Sequence, residues 1–179
     1  MIVEENKAVV LSFINDVWGK KDLSLVDDMI ADDHVHHFTS RDVHGPEGVK
    51  QLVTWAHNFL PDAQIAIKDL IAEEDRVVVS FAISGTDKGG YKGNPPSGNS
   101  VEYDGIDIFR LAGGKIVERW GIVDTFRMRR QIGAIPEQGT SHRPYEHSTD
   151  SSIGQSRSKE SDIGFDGDRD NSVGGRNET

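Results

Sequence analysis

The chain has no cysteine. Disulfides, thiolate nucleophiles and zinc–thiolate centres are therefore excluded. It also lacks any apolar run approaching the roughly 20 residues that span a membrane. Its opening, MIVEENKAVV, has no basic stretch followed by an apolar one, so no secretory leader is expected. The expectation is a soluble, cytoplasmic protein without a membrane partner. Hydrophobic residues make up only 35% of the chain, little for a fully folded protein, and the shortage is concentrated. From 137 to 179 the apolar residues stand alone, with no period of 2 or 3.6. Such a segment cannot bury enough surface to offset its chain entropy. We expect one domain over 1–136 and a disordered polar tail over 137–179.

The formal net charge is −10, and the tail carries nine acids against five Lys and Arg. The remaining part is acidic too. An acidic surface repels phosphate backbones, so nucleic acid is not an expected partner.

Read in order, Glu4 to Gly19 predicts a helix: Val10, Phe13, Ile14, Val17 and Trp18 form one apolar stripe. Asp22 is placed to cap a short second helix with Leu23, Val26 and Ile30 inward. Asp32 to Phe38 predicts a short strand. Gly45-Pro46-Glu47 opens a third helix that Pro61 stops. Four strands follow, over 64–71, 76–84 and the two arms of a hairpin, with a Gly-, Pro-, Asn- and Ser-rich loop over 85–100. A short helix over 125–132 ends at Gly133. Helices early and strands late imply an α+β fold: a curved antiparallel sheet with about three helices on one face. The concave mouth of such a sheet is a usual place for a small ligand.

The hairpin carries the chemistry. VEYDGIDIFR and KIVERWGIVD are joined through Gly113-Gly114, a strong turn signal. Strands usually exclude Asp, yet Asp107 stands between Ile106 and Ile108. By alternation it shares a face with Tyr103, Gly105 and Phe109. It is either a carboxylate in a pocket or a charge on an open face. Asp124 ends the second arm, where it reads as a helix N-cap whose second oxygen stays free. Glu118 and Arg119 point to opposite faces, and Glu118 and Trp120 share one. His34 and His36 share a strand face while His37 takes the other. No further ligand at metal spacing completes them, so no metal is expected. The Gly89-Gly90-Tyr91-Lys92-Gly93 stretch lacks a phosphate loop's Gly-Lys-Ser/Thr ending and reads as a flap whose Tyr91 could reach a ligand.

Several residue groups together resemble the SnoaL-like polyketide cyclases, within the nuclear transport factor two-like cone fold. They are His44-Gly45-Pro46, Gln51-Leu52-Val53 with Trp55, Gly93 with Pro95 to Gly98, Gly105-Ile106-Asp107, Gly114-Lys115-Ile116, Trp120, Asp124 and Arg130 to Gly133. The resemblance covers most of 5–136 and excludes the tail. It implies a cofactor-free enzyme of polyketide metabolism and secondary-metabolite biosynthesis, closing a ring by intramolecular aldol condensation. It also implies a homodimer or larger homo-oligomer, because an exposed sheet in this fold pairs with a second copy. In the family's aldol cyclases the acid/base Asp directly follows the position of Trp120; here that position is Gly121. Their histidine partner falls at Asp107.

Two readings follow. In one, Asp107 is the base, His37 and Asp124 assist, and Tyr103, Trp120, Trp55, Tyr91 and Glu118 line the substrate pocket. In the other, Gly121 marks lost chemistry and the cone only binds a small molecule.

Overall fold

The computed structural model describes residues 2–38 and 41–135. The proposed tail lies outside them. Helix α1 (Ile2–Ser12) runs without a break into a wider π-helical stretch, Phe13–Gly19, whose Phe13, Ile14 and Val17 are buried. Asp22 accepts the amide of Ser24 and starts a single tight turn, Leu23–Leu25, that leads into α2 (Val26–Met29). Strands β1 (Ile30–His37) and β2 (Asp42–His44) come next, then α3 (Gly45–Phe59) with proline in its first turn. The chain closes with β3 (Gln64–Glu73), β4 (Arg76–Thr86), β5 (Ser100–Ala112), β6 (Lys115–Val123) and α4 (Thr125–Gln131).

The six strands form one open, curved sheet in the order β2-β1-β6-β5-β4-β3. The β5–β6 hairpin turns at Gly113 and Gly114, both at positive φ (59° and 80°), which glycine adopts at no steric cost. Two features differ from expectation. The short strand β2 follows β1 directly, and β1 runs parallel to β6, so the sheet is mixed rather than purely antiparallel. β1 therefore runs in the same direction as β4 and β6.

Burial on β5 alternates strictly: Val101, Tyr103, Gly105, Asp107, Phe109 and Leu111 face the helices and their neighbours face outward. The main core joins this inner face to α1 and its π-helical extension. Phe13 meets Phe109 edge to face, with ring centroids 6.0 Å apart. Truncating a ring packed this way costs about 3–5 kcal/mol. A second apolar cluster, including Phe59, Tyr91, Tyr103 and Met128, lies toward the other end of the strands.

Candidate active site

On the inner face, polar groups occur where a core would otherwise continue. Asp107 is only 2% exposed. Its Oδ2 accepts from Arg119 Nε (3.1 Å) and Nη2 (2.5 Å), and among the described residues its Oδ1 accepts no hydrogen bond. Burial pushes the Asp107 carboxyl up and the Arg119 charge draws it back, leaving it above the ordinary carboxylate range. Arg119 is itself buried. Its guanidinium carbon lies 4.8 Å from the Trp18 ring centroid and 5.3 Å from that of Phe109, so the cation is held by aromatic faces as well as by its counter-ion.

Two histidines join this pair from β1. His34 and His36 are both buried, and β1–β6 pairing sets His36 beside Arg119. Burial first, and the nearby Arg119 charge second, push His34 down to about 4 and His36 down to about 2. Both rings are therefore neutral at pH 7. His34 Nδ1, both nitrogens of His36 and Trp18 Nε1 are buried without a hydrogen-bond partner among the described residues. Buried polar atoms are nearly always satisfied, so this group marks a place where water or a ligand belongs.

Gly121 is the space between them. It pairs with Asp107 across the β5–β6 ladder. A β-carbon placed on it would lie 2.5 Å from Asp107 Oδ1 and 3.2 Å from His36 Nε2. The glycine is needed here for room: any side chain would displace the carboxylate or the imidazole.

The remaining candidates fall elsewhere. Tyr103 is on the inner face, and burial, with Tyr91 nearby, pushes its phenol up to about 12. Tyr91 is buried against Phe59 and Trp55, with centroids 5.2 and 5.7 Å apart, while Trp55 itself is half exposed on α3. Asp124 caps α4 by accepting the Arg127 amide at 2.8 Å. His37, Glu118 and Trp120 lie on the outer face, away from Asp107. There His37 stacks on Trp120 (5.2 Å) and sits between Asp42 and Glu118, and Glu118 accepts from Arg110 at 2.7 Å. The hydrogen bond to Glu118 holds the His37 imidazole above its ordinary value. Among the described residues no three His, Asp or Glu side chains are grouped as metal ligands. A groove of about 670 Å³ beside α4, lined in part by Gln64, Ser84, Glu102, Arg127 and Gln131, takes in none of the buried polar groups.

The inner face of this α+β sheet thus carries a buried carboxylate, guanidinium and pair of imidazoles in one group. The SnoaL-like polyketide cyclase family matches residues 8–132, and the chain belongs to it. Among solved structures, it is 25% identical to one from Jannaschia sp. CCS1 described as a SnoaL-like polyketide cyclase. That match covers 75% of this chain and 96% of the other, with a TM-score of 0.70. AclR of Streptomyces galilaeus, described as a hydroxylase, is 28% identical over 75% of this chain and 85% of its own, with a TM-score of 0.68. IdmH of Streptomyces antibioticus, described as a polyketide cyclase, is 26% identical over 72% of this chain and 98% of its own, with a TM-score of 0.63. No curated protein matches.

Proposed function

We propose that the chain is a cofactor-free cyclase or isomerase of polyketide-type carbonyl compounds, with Asp107 as its base. The observation that carries this reading is the state of the Asp107 carboxylate. It is desolvated, anchored through Oδ2 by Arg119, and free at Oδ1, which faces Gly121 and the His36 ring. Desolvation makes a carboxylate a better base, and anchoring one oxygen fixes the direction in which the other points. The proton removed lies next to a carbonyl, and the resulting enolate attacks a second carbonyl held beside it. Confinement of both carbons removes much of the entropic barrier. Tyr103 forms part of the wall on the same face. His37 and Asp124, on the outer face and at the α4 cap, contribute to strand and helix geometry around the site.

We further propose that a second copy of the chain covers the outer face. Ile106 and Ile122, cross-strand partners there, are 54% and 69% exposed.

The test is a panel of aromatic polyketide esters with two aldol-competent carbonyls, turned over by wild type and by Asp107→Asn. Melting curves establish that both are folded. Loss of about 100-fold or more in the variant is expected for a general base. Undiminished turnover in Asp107→Asn would remove Asp107 from the reaction.

A further inference from the structure

We infer that His36 is the second proton-transfer group of this site, working with Asp107 across the gap left by Gly121. The inference deepens the cyclase reading and rests on it for its chemistry, but its geometry stands independently. His36 is 1% exposed, and among the described residues neither ring nitrogen has a partner. Its Nε2 and Asp107 Oδ1, each left free, both close on the side of Gly121 where a β-carbon would stand, 3.2 Å from the first and 2.5 Å from the second. Satisfying a buried imidazole requires one acceptor and one donor, and a hydroxyl, a carbonyl oxygen or a water brought to the ring would supply one of them. The Phe38 ring, just past the end of β1, packs against His36 with centroids 3.9 Å apart and planes 33° from parallel.

The two side chains divide the work. The substrate C–H bond breaks and its proton passes to Asp107 Oδ1, while the electron pair moves onto the carbonyl oxygen to give the enolate. The enolate carbon attacks the second carbonyl, a C–C bond forms, and that carbonyl's π pair becomes an alkoxide. His36 gives its N–H proton to the alkoxide. The proton on Asp107 Oδ1 then passes to the imidazole, at the nitrogen that gave its proton up. Substrate and product contain the same atoms, and both side chains end as they began. A neutral imidazole suits this role, because one nitrogen carries the proton to be given and regained while the other accepts a hydrogen bond. Burial and the Arg119 charge hold His36 in that form.

Two measurements on the full chain test it. In deuterium oxide, proton NMR follows deuterium entry next to the substrate carbonyl separately from ring closure. His36→Gln keeps a donor and an acceptor but cannot pass a proton on. It is expected to keep deuterium entry within about threefold of wild type and to lose ring closure by about 100-fold or more. Asp107→Asn is expected to lose both. Ring closure undiminished in His36→Gln overturns the proposal. The second readout needs no substrate: the His36 ring nitrogen signals at pH 7. They are expected to shift in Asp107→Asn, or in Gly121→Ala should Asp107→Asn fail to fold, and to stay unchanged in His37→Gln. No shift in the folded variant overturns the pairing of His36 with Asp107. Absence of deuterium entry with wild type across the panel counts instead against the cyclase reading, and the nitrogen signals then decide the pairing alone.

Discussion

Trp18 lies flat enough against Arg119 to bring its ring centroid within 4.8 Å of the guanidinium carbon, while the same guanidinium grips Asp107 on the neighbouring strand. Trp18 reaches this position from the π-helical stretch Phe13–Gly19. Wide turns of this kind are rare and occur most often at functional sites. Here the widened turn carries an aromatic face to a buried cation that also has Asp107 and the Phe109 ring against it.

The ion pair should be costly to break from one side only. Arg119→Met leaves the Asp107 carboxylate desolvated and uncompensated, and is expected to cost roughly 3–5 kcal/mol. Adding Asp107→Leu removes the orphan charge and should restore most of that loss. Trp18→Leu, which removes only the cation–π contact and some packing, should cost less, on the order of 2 kcal/mol. Urea denaturation of the variants measures all of these. A double variant no more stable than Arg119→Met would show that the pair is not what holds this region.

Acid should unfold the protein through its buried histidines. His34 and His36 have folded values of about 4 and about 2, below the ordinary histidine value near 6.5. Each stabilises the fold fully above pH ~6.5 and loses that contribution as pH falls, at up to ~1.4 kcal/mol per pH unit per histidine. Asp107, raised, and His37, raised, act in the opposite sense. Both are retained in the comparison of wild type with His34→Gln/His36→Gln. Between pH 6.5 and 5 the urea midpoint of wild type should fall steeply and that of the double variant much less. Parallel curves would mean the two rings are already protonated or hydrated in the native state.

The loop after β4 should depend on Asp87. This carboxylate is fully buried and accepts from the Gly90 amide (2.8 Å), the Ser97 amide (2.9 Å) and Ser97 Oγ (2.8 Å). Burial pushes it up, yet the Ser97 and Gly90 hydrogen bonds outweigh burial and leave it below the usual range. The segment that the sequence presents as a loose flap is thereby tied down, with Tyr91 packed on Phe59. Asp87→Ala strands these donors and is expected to cost about 1–3 kcal/mol. Amide hydrogen exchange at Gly90 and Ser97 should speed up well before global unfolding. Unchanged exchange there would mean the loop is held by Tyr91 instead.

How much of this was legible in advance depended on whether a strand kept its period. On β5 alternation placed Asp107 with Tyr103, Gly105 and Phe109, and the structure shows the same file on its inner face. On β6 the same rule sorted Ile116, Glu118 and Trp120 together. The ladder slips between Leu111↔Ile116 and Arg110↔Glu118, so Val117 is an extra residue, and beyond it Arg119 and Gly121 take the inner side. One bulged residue exchanges the two faces of everything after it. A similar irregularity lies between Ile30 and Val35 in β1. His34 and His36 could be sorted from His37 by sequence, but which set faced inward could not. The Arg119–Asp107 pair crosses two strands, so its partners become neighbours only once register is set. The helix–strand order and the Gly113-Gly114 turn were readable because they rest on local chemistry alone.

The outer face supplies the last prediction. Ile106 and Ile122 pair across β5 and β6, Ile108 pairs with Trp120 beside them, and Ile71 and Phe126 are also largely exposed. Ile71, Ile106, Ile108, Trp120 and Ile122 thus form an apolar surface on a sheet face that no helix of the described residues covers in full. Contiguous patches of this kind mark interfaces more often than free surface. If a second copy covers it, Ile106→Lys/Ile122→Lys should convert a dimer to a monomer in sedimentation equilibrium. The melting temperature should fall with dilution for wild type and not for the variant. Asp107 and His36 lie on the opposite face, so the monomeric variant should keep the His36 ring nitrogen signals of wild type. A wild type that sediments as a monomer at all concentrations would show that the patch serves something other than self-association.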